Sequence, residues 1–156
     1  MERDCGAWIN LLSRMVRRRL NATLQGLGIT AIQSRVIFYI LEHSPNQPVY
    51  QRDIESAFRL SRSTATGILQ QLERKGILVR ESVEQDARLK SLVPTARAAE
   101  LNEQVRACLR QTEALLTQGL SEGQVRLFIE TAAAMARNLE AEDCAATPGE
   151  AENKFG

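Results

Sequence analysis

Apolar residues recur every three or four positions along most of this chain, and that period predicts helices. Trp8, Leu11, Leu12, Met15 and Leu20 form a first stripe, with Arg14, Arg17, Arg18 and Arg19 largely between them. This amphipathic helix should end near Gly26 and Gly28. Thr30-x-x-Gln33 then has the form of a capping box, in which each side chain reaches the other's backbone amide. It opens a helix through Leu41 that is too uniformly apolar for a surface position. Ser44-Pro45-Asn46-Gln47-Pro48 is a break. Beyond it the pattern predicts a short helix over about Arg52 to Phe58, a tight joint, and a longer helix from Arg62 to Lys75 stopped by Gly76. Ile77–Arg80 and Leu89–Val93 are the strand candidates, with a polar tip from Glu84 to Arg88 between them. Pro94-Thr95 should end the second strand, with Thr95 capping the next helix. Leu101, Val105, Cys108, Thr112 and Leu115 then form a long helical seam, broken at Gly119. Ser121-x-x-Gln124 repeats the capping box before a last helix marked by Val125, Phe128, Ile129, Ala132 and Leu139.

Two strands cannot make a sheet core, so the expected class is mainly α. A short helix, a tight joint, a second helix and a hairpin in that order describe a winged helix-turn-helix with a two-stranded β-wing. Ile54, Ala57 and Leu60 should pack against Ala65, Ile68, Leu69 and Leu72. That leaves Ser61-Arg62-Ser63-Thr64-Ala65-Thr66 free of bulky apolar residues at a helix N-terminus, where orphan amides favour anions. Hydroxyls and an arginine there can hold phosphate or reach base edges. The plainer alternative is that Ser61 caps the helix and the other hydroxyls coat a solvated surface. On the wing tip, Arg88 could enter a narrow minor groove with Asp86 holding its guanidinium, or the two could form an ordinary surface ion pair.

Charge sharpens this picture. The 156 residues sum to a formal +1, which by itself does not point to nucleic acid. Residues 1–138 hold 19 basic and 14 acidic residues, whereas 139–156 hold five acids against Lys154. The body is therefore mildly basic and the end of the chain acidic, with Pro148-Gly149 and no apolar period, so 141–156 is expected to be a disordered tail. The longest apolar run, Val36–Leu41, has six residues, far short of the roughly 20 a bilayer requires, and no membrane partner is expected. With no apolar leader and three widely spaced cysteines, the expected compartment is the cytoplasm.

With these motifs in order, the sequence resembles the MarR family of bacterial transcriptional regulators. The resemblance runs through Leu27-Gly28-Ile29-Thr30-x-x-Gln33, Asp53-Ile54, Ser61-x-Ser63-Thr64-x-Thr66-Gly67-Ile68-Leu69, Leu72-Glu73-Arg74-Lys75-Gly76-Ile77-Leu78, Asp86-x-Arg88 and Pro94-Thr95. It covers about residues 8–140. It implies a helical dimerisation region built from 1–29 and 96–140 around a winged domain at 30–95. It further implies a homodimer on pseudo-palindromic double-stranded DNA, expected to be a repressor. Ser61, Arg62, Ser63, Thr64 and Thr66 match the family's recognition-helix contacts, Gln70 lies further along the same helix as another expected DNA contact, and Arg88 matches the wing-tip arginine with Asp86 as its partner. One departure is Ala98, where the family has glycine three residues after the threonine matched by Thr95.

Relatives in this family take small aromatic or phenolic effectors. Trp8, Leu12, Arg18, Arg35 and Tyr39 could line such a site, or be core and solvated surface. Some relatives sense oxidant through a cysteine near the start of the first helix, where Cys5 falls, though an incidental thiol is the simpler reading. Enzyme chemistry lacks support, and no cofactor or metal is expected. Gly26-x-Gly28-x-x-Ala31 follows a helix rather than a strand, and there is no P-loop, H-E-x-x-H or G-x-S-x-G. The single His43 sits at a helix end, suited to terminal carbonyls. A helical dimeric adaptor using its winged domain to bind protein is the remaining alternative.

Overall fold

The computed structural model describes residues 4–83 and 86–145, apart from the side chains of 83–89 and 142–145. Its elements are α1 (Cys5–Gly26), α2 (Ala31–His43), α3 (Gln51–Phe58), α4 (Arg62–Arg74), β1 (Leu78–Val83), β2 (Asp86–Pro94), α5 (Ala96–Thr117) and α6 (Glu122–Ala145). This is the mainly helical winged arrangement expected from the sequence.

Local chemistry sets most boundaries. The Asp4 carboxylate caps α1 by accepting from the Ala7 amide at 2.7 Å. At its far end Gly28 takes φ +68°, a left-handed conformation that glycine adopts without a Cβ penalty, and the Ile29 amide donates to the Leu24 carbonyl at 3.0 Å. Both halves of the Thr30–Gln33 capping box are formed, at 3.2 and 3.1 Å. The Tyr50 amide donates to the Asp53 carboxylate at 2.8 Å, which starts α3 one residue earlier than the apolar period implies. The Ser121–Gln124 box also forms, at 2.8 and 3.3 Å.

Residues 1–113 form one unit. Its core joins Val36, Ile37 and Ile40 of α2 to Ile54 of α3, Leu69 and Leu72 of α4, Leu92 of β2, and Leu101 and Val105 of α5. Each such side chain contributes about 1.5–3 kcal/mol on burial. Between α3 and α4, Arg59 turns the chain at φ 51°, ψ 46°, and the Leu60 amide returns to the Glu55 carbonyl at 2.9 Å. A non-glycine residue in this conformation costs on the order of 1 kcal/mol. Ala57, expected between the two helices, is exposed, and Phe58 packs in its place. Four residues separate Phe58 from Ile54, so those two share a face while Ala57 lies off it.

The hairpin is longer than its apolar pattern. Pairing runs from Leu78↔Pro94 to Ser82↔Lys90, with an irregularity before Val83↔Asp86. Asp86–Arg88, expected in the tip, thus falls within β2, where Asp86 pairs with Val83, because ladder pairing depends on the backbone and not on apolar alternation. Thr95 does not use its side chain to cap α5. Its hydroxyl lies 2.7 Å from the Gly76 carbonyl and 3.0 Å from that of Ile77, which fastens the base of the wing instead. The Leu92 amide also donates to the Val49 carbonyl at 2.7 Å, tying β2 to the segment before α3.

Residues 114–156 form a second unit. Here α6 continues to Ala145, into the stretch expected to be a tail from 141. Leu139, Glu140, Ala141 and Glu142 are good helix formers, and the first strong breaker is Pro148. Residues 146–156 lie outside the described residues. Leu120, Leu127, Phe128, Ile129 and Leu139 of this unit are exposed.

Candidate nucleic-acid interface

The first turn of α4 is polar, exposed and internally tied. Ser61 caps it, accepting from the Thr64 amide at 3.2 Å, and its hydroxyl lies 3.1 Å from that of Ser63 and 2.8 Å from that of Thr64. The plain capping role weighed for Ser61 is therefore present. Thr66 is fastened as well: its hydroxyl donates to the Arg62 carbonyl at 2.8 Å and accepts from the Gln51 amide group at 2.9 Å. The same Gln51 nitrogen lies 2.9 Å from a Glu55 carboxylate oxygen and 3.4 Å from the Arg62 carbonyl. The Arg62 and Gln70 side chains are exposed on this helix.

Beside this turn is a concavity of about 400 Å³ lined by Gln51, Arg52, Glu55, Arg62, Thr66, Arg80 and Lys90. Four cations surround one carboxylate, an arrangement suited to a polyanion backbone. Arg80 is held by Glu73 at 3.1 Å, and Lys90 donates to the Ser82 hydroxyl across the hairpin. Arg52 rests over the Tyr50 ring at 5.1 Å. Sequence reasoning did not single out Gln51, Arg52, Arg80 or Lys90. A signal was available in the hairpin register: Arg80 and Ser82 share a strand face, and Lys90 stands opposite Ser82. The side chains of Asp86 and Arg88 lie outside the described residues.

A second cavity, about 500 Å³ and largely apolar, lies among α1, α2, Phe58 and α5. Arg35 and Tyr39, two of the five effector candidates, line it, together with Phe38, Phe58, Glu42 and Arg106. Arg35 lies over the Phe58 ring at 5.1 Å, and Tyr39 meets Phe58 edge-on at 5.8 Å. Trp8, Leu12 and Arg18 do not line this cavity. It uses Leu20 and Leu24 of α1; Trp8 is about 24 Å along the helix from Leu24, and Arg18 projects from nearly the opposite side to Leu20. His43 stacks on Tyr39 at 4.0 Å, its Nδ1 2.8 Å from the Tyr39 carbonyl one turn back rather than from the carbonyls without an intrahelical partner at the helix end. Cys5 is exposed at the first residue of α1, and Cys108 accepts from the Thr23 hydroxyl at 3.1 Å. Among the described residues, no group of three potential ligands could hold a metal ion, and no single helix is long and apolar enough to cross a membrane.

Residues 27–89 match a family model described as the MarR family. Solved structures with the same fold include MepR, a transcription regulator of the Staphylococcus aureus multidrug efflux pump MepA. It aligns with a TM-score of 0.78 at 23% identity over 88% of this chain and 99% of that chain. The S. aureus MepR–DNA complex aligns with a TM-score of 0.75 at 25% identity over 83% and 96%. MepR bound to ethidium bromide aligns with a TM-score of 0.71 at 23% identity over 88% and 97%.

Proposed function

From the match of residues 27–89 to the MarR family, we propose that the chain is a MarR-type transcriptional regulator and, more closely, a sequence-specific, DNA-binding repressor. It acts as a homodimer on a pseudo-palindromic operator whose half-sites are about one helical turn, ~34 Å, apart. Members of this family regulate transcription and are not enzymes. One observation carries the proposal: the exposed polar start of α4 adjoins the concavity bearing Arg52, Arg62, Arg80 and Lys90. Phosphates settle among the cations, while Arg62, Ser63, Thr64 and Gln70 meet base edges. Ser61 and Thr66 hold the turn in shape, and Arg88, partnered by Asp86, enters the adjacent minor groove. The MepR–DNA complex, at 25% identity, supports the same use of the fold.

The homodimer is supported by the apolar residues that one copy leaves exposed on α6, which a second copy would cover. The cavity beside Arg35 and Tyr39 takes a small aromatic or phenolic effector that releases DNA, its apolar walls holding the ring and Arg35 an acidic group. Action on chromosomal DNA makes the cytoplasm the expected compartment.

Fluorescence anisotropy with labelled duplexes at two salt concentrations tests the proposal. Affinity should fall steeply with salt, as released counterions require. Arg88→Ala should weaken binding and reduce the salt slope by about one. Absent or salt-insensitive binding would favour the dimeric adaptor.

A further inference from the structure

The recognition helix has a second polar anchor, at its C-terminal end. Gln33 is 2% exposed, yet its amide joins three parts of the fold. Its Oε1 accepts from the Thr30 amide at 3.1 Å and from Lys75 Nζ at 3.2 Å. Its Nε2 donates to Gln71 Oε1 at 2.6 Å, and Lys75 Nζ also donates to the Gly28 carbonyl at 2.6 Å. The turn between α1 and α2, the first turn of α2 and the last turn of α4 thus meet at one buried side chain.

Helix capping does not account for this. Gln124 makes the same capping box in the same chain while exposed to solvent. What distinguishes Gln33 is its pair of long-range partners, one in the last turn of α4 and one at its C-cap. The apolar contacts of α4, through Leu69 and Leu72, resist separation but are not directional. Hydrogen bonds weaken steeply off their preferred angle, so the amide resists rotation of the helix about its own axis. Arg62 lies about 14 Å along α4 from Gln71, so a small tilt at the anchored end displaces the base-reading end.

We propose that Gln33, through Gln71 and Lys75, is a positioning residue for sequence recognition: it orients α4 so that its first turn meets base edges in register. The inference rests on the DNA-binding reading above. Base contacts require that register, whereas phosphate contacts tolerate small shifts, so loss of the anchor lowers specificity more than affinity for arbitrary DNA.

The test uses the full chain, a duplex selected by the wild-type protein from a random pool, and a scrambled duplex of equal length. Gln33→Leu removes all three bonds of the Gln33 amide and leaves only that of Lys75 to the Gly28 carbonyl. Gln71→Ala removes one bond and spares the capping box, so it remains informative if Gln33→Leu fails to fold. Gln33→Glu keeps acceptors for Thr30 and Lys75, and the Gln71 amide can turn to donate. For folded variants, Gln33→Leu should lower the selected-to-scrambled affinity ratio about tenfold or more, as loss of one or two base contacts would. Gln71→Ala should lower it in the same direction, Gln33→Glu should restore it, and binding to the scrambled duplex should change less than about twofold. Equal losses on both duplexes, or an unmoved ratio in Gln71→Ala, would overturn the inference while leaving DNA binding intact. If the wild type shows no salt-sensitive binding, the DNA-binding reading falls and takes this inference with it.

Discussion

In α4, Ala65, Leu69 and Leu72 are fully buried, whereas in α6 Leu127, Phe128 and Ile129 are each more than half exposed. Both helices are amphipathic by sequence, and both begin with a serine cap. The difference is in what surrounds them. Residues 1–113 supply α4 with partners from α2, α3 and the wing, so its apolar side is satisfied within one chain. The three consecutive apolar residues of α6 cover about 200° of its circumference, more than one flat contact hides. The winged domain carries its own core, while the second unit leaves its large apolar side chains exposed in a single copy.

The largest expected effect tests whether a second copy covers those side chains. Phe128→Glu combined with Ile129→Glu should convert a dimer into a 17.4 kDa monomer by light scattering. Losing the second half-site should weaken operator binding about 100-fold or more. An unchanged mass would remove α6 from the dimer interface. Next, Leu69→Ala should destabilise the winged domain by about 2–5 kcal/mol in urea denaturation, through lost burial and a cavity. That loss should persist at any protein concentration, whereas Leu127→Ala should matter most in dilute samples, where subunits separate. If both depended equally on concentration, the contrast between the two units would fail.

Within the winged domain the effects become smaller. Arg80→Ala should reduce the salt slope of DNA binding by about one with little change in sequence preference, since Arg80 lines the cation-rich concavity. Arg62→Ala should change preference at one base position if its guanidinium reads a base, which a comparison of selected sequences would reveal. Gly67→Ala should be the mildest. A Cβ there meets nothing within 4 Å, so α4 should gain up to about 1 kcal/mol. A rise in melting temperature accompanied by weaker operator binding would mean that DNA approaches the backbone at Gly67.

How much was legible in the sequence differed from residue to residue. The capping boxes at Thr30 and Ser121 were visible because they join residues three apart, and both formed. The tip of the wing was not legible, because Asp86–Arg88 has no apolar alternation, although Asp86 pairs with Val83 across an irregularity in the ladder. The role of Thr95 was hidden for a related reason: its carbonyl partners at Gly76 and Ile77 lie eighteen or nineteen residues away and become neighbours only through hairpin register. Gln51 carries no motif, and its hold on Thr66 follows from the angle at which α3 meets α4.

The sequence by itself determined the order of the elements, the caps at Thr30, Ser61 and Ser121, most of the apolar core of the winged domain and the exposed polar start of α4. These depend on interactions within a turn or two of helix, or on a period that burial imposes. Tertiary structure alone decided that Arg52, Arg62, Arg80 and Lys90 share one concavity, that Arg35 and Tyr39 face a cavity without Trp8, and that Gln33 does more than cap a helix. Those outcomes require residues tens of positions apart to meet at defined angles. Hydrophobic periodicity specifies which side of an element is buried, but not the rotation and register at which two elements come together.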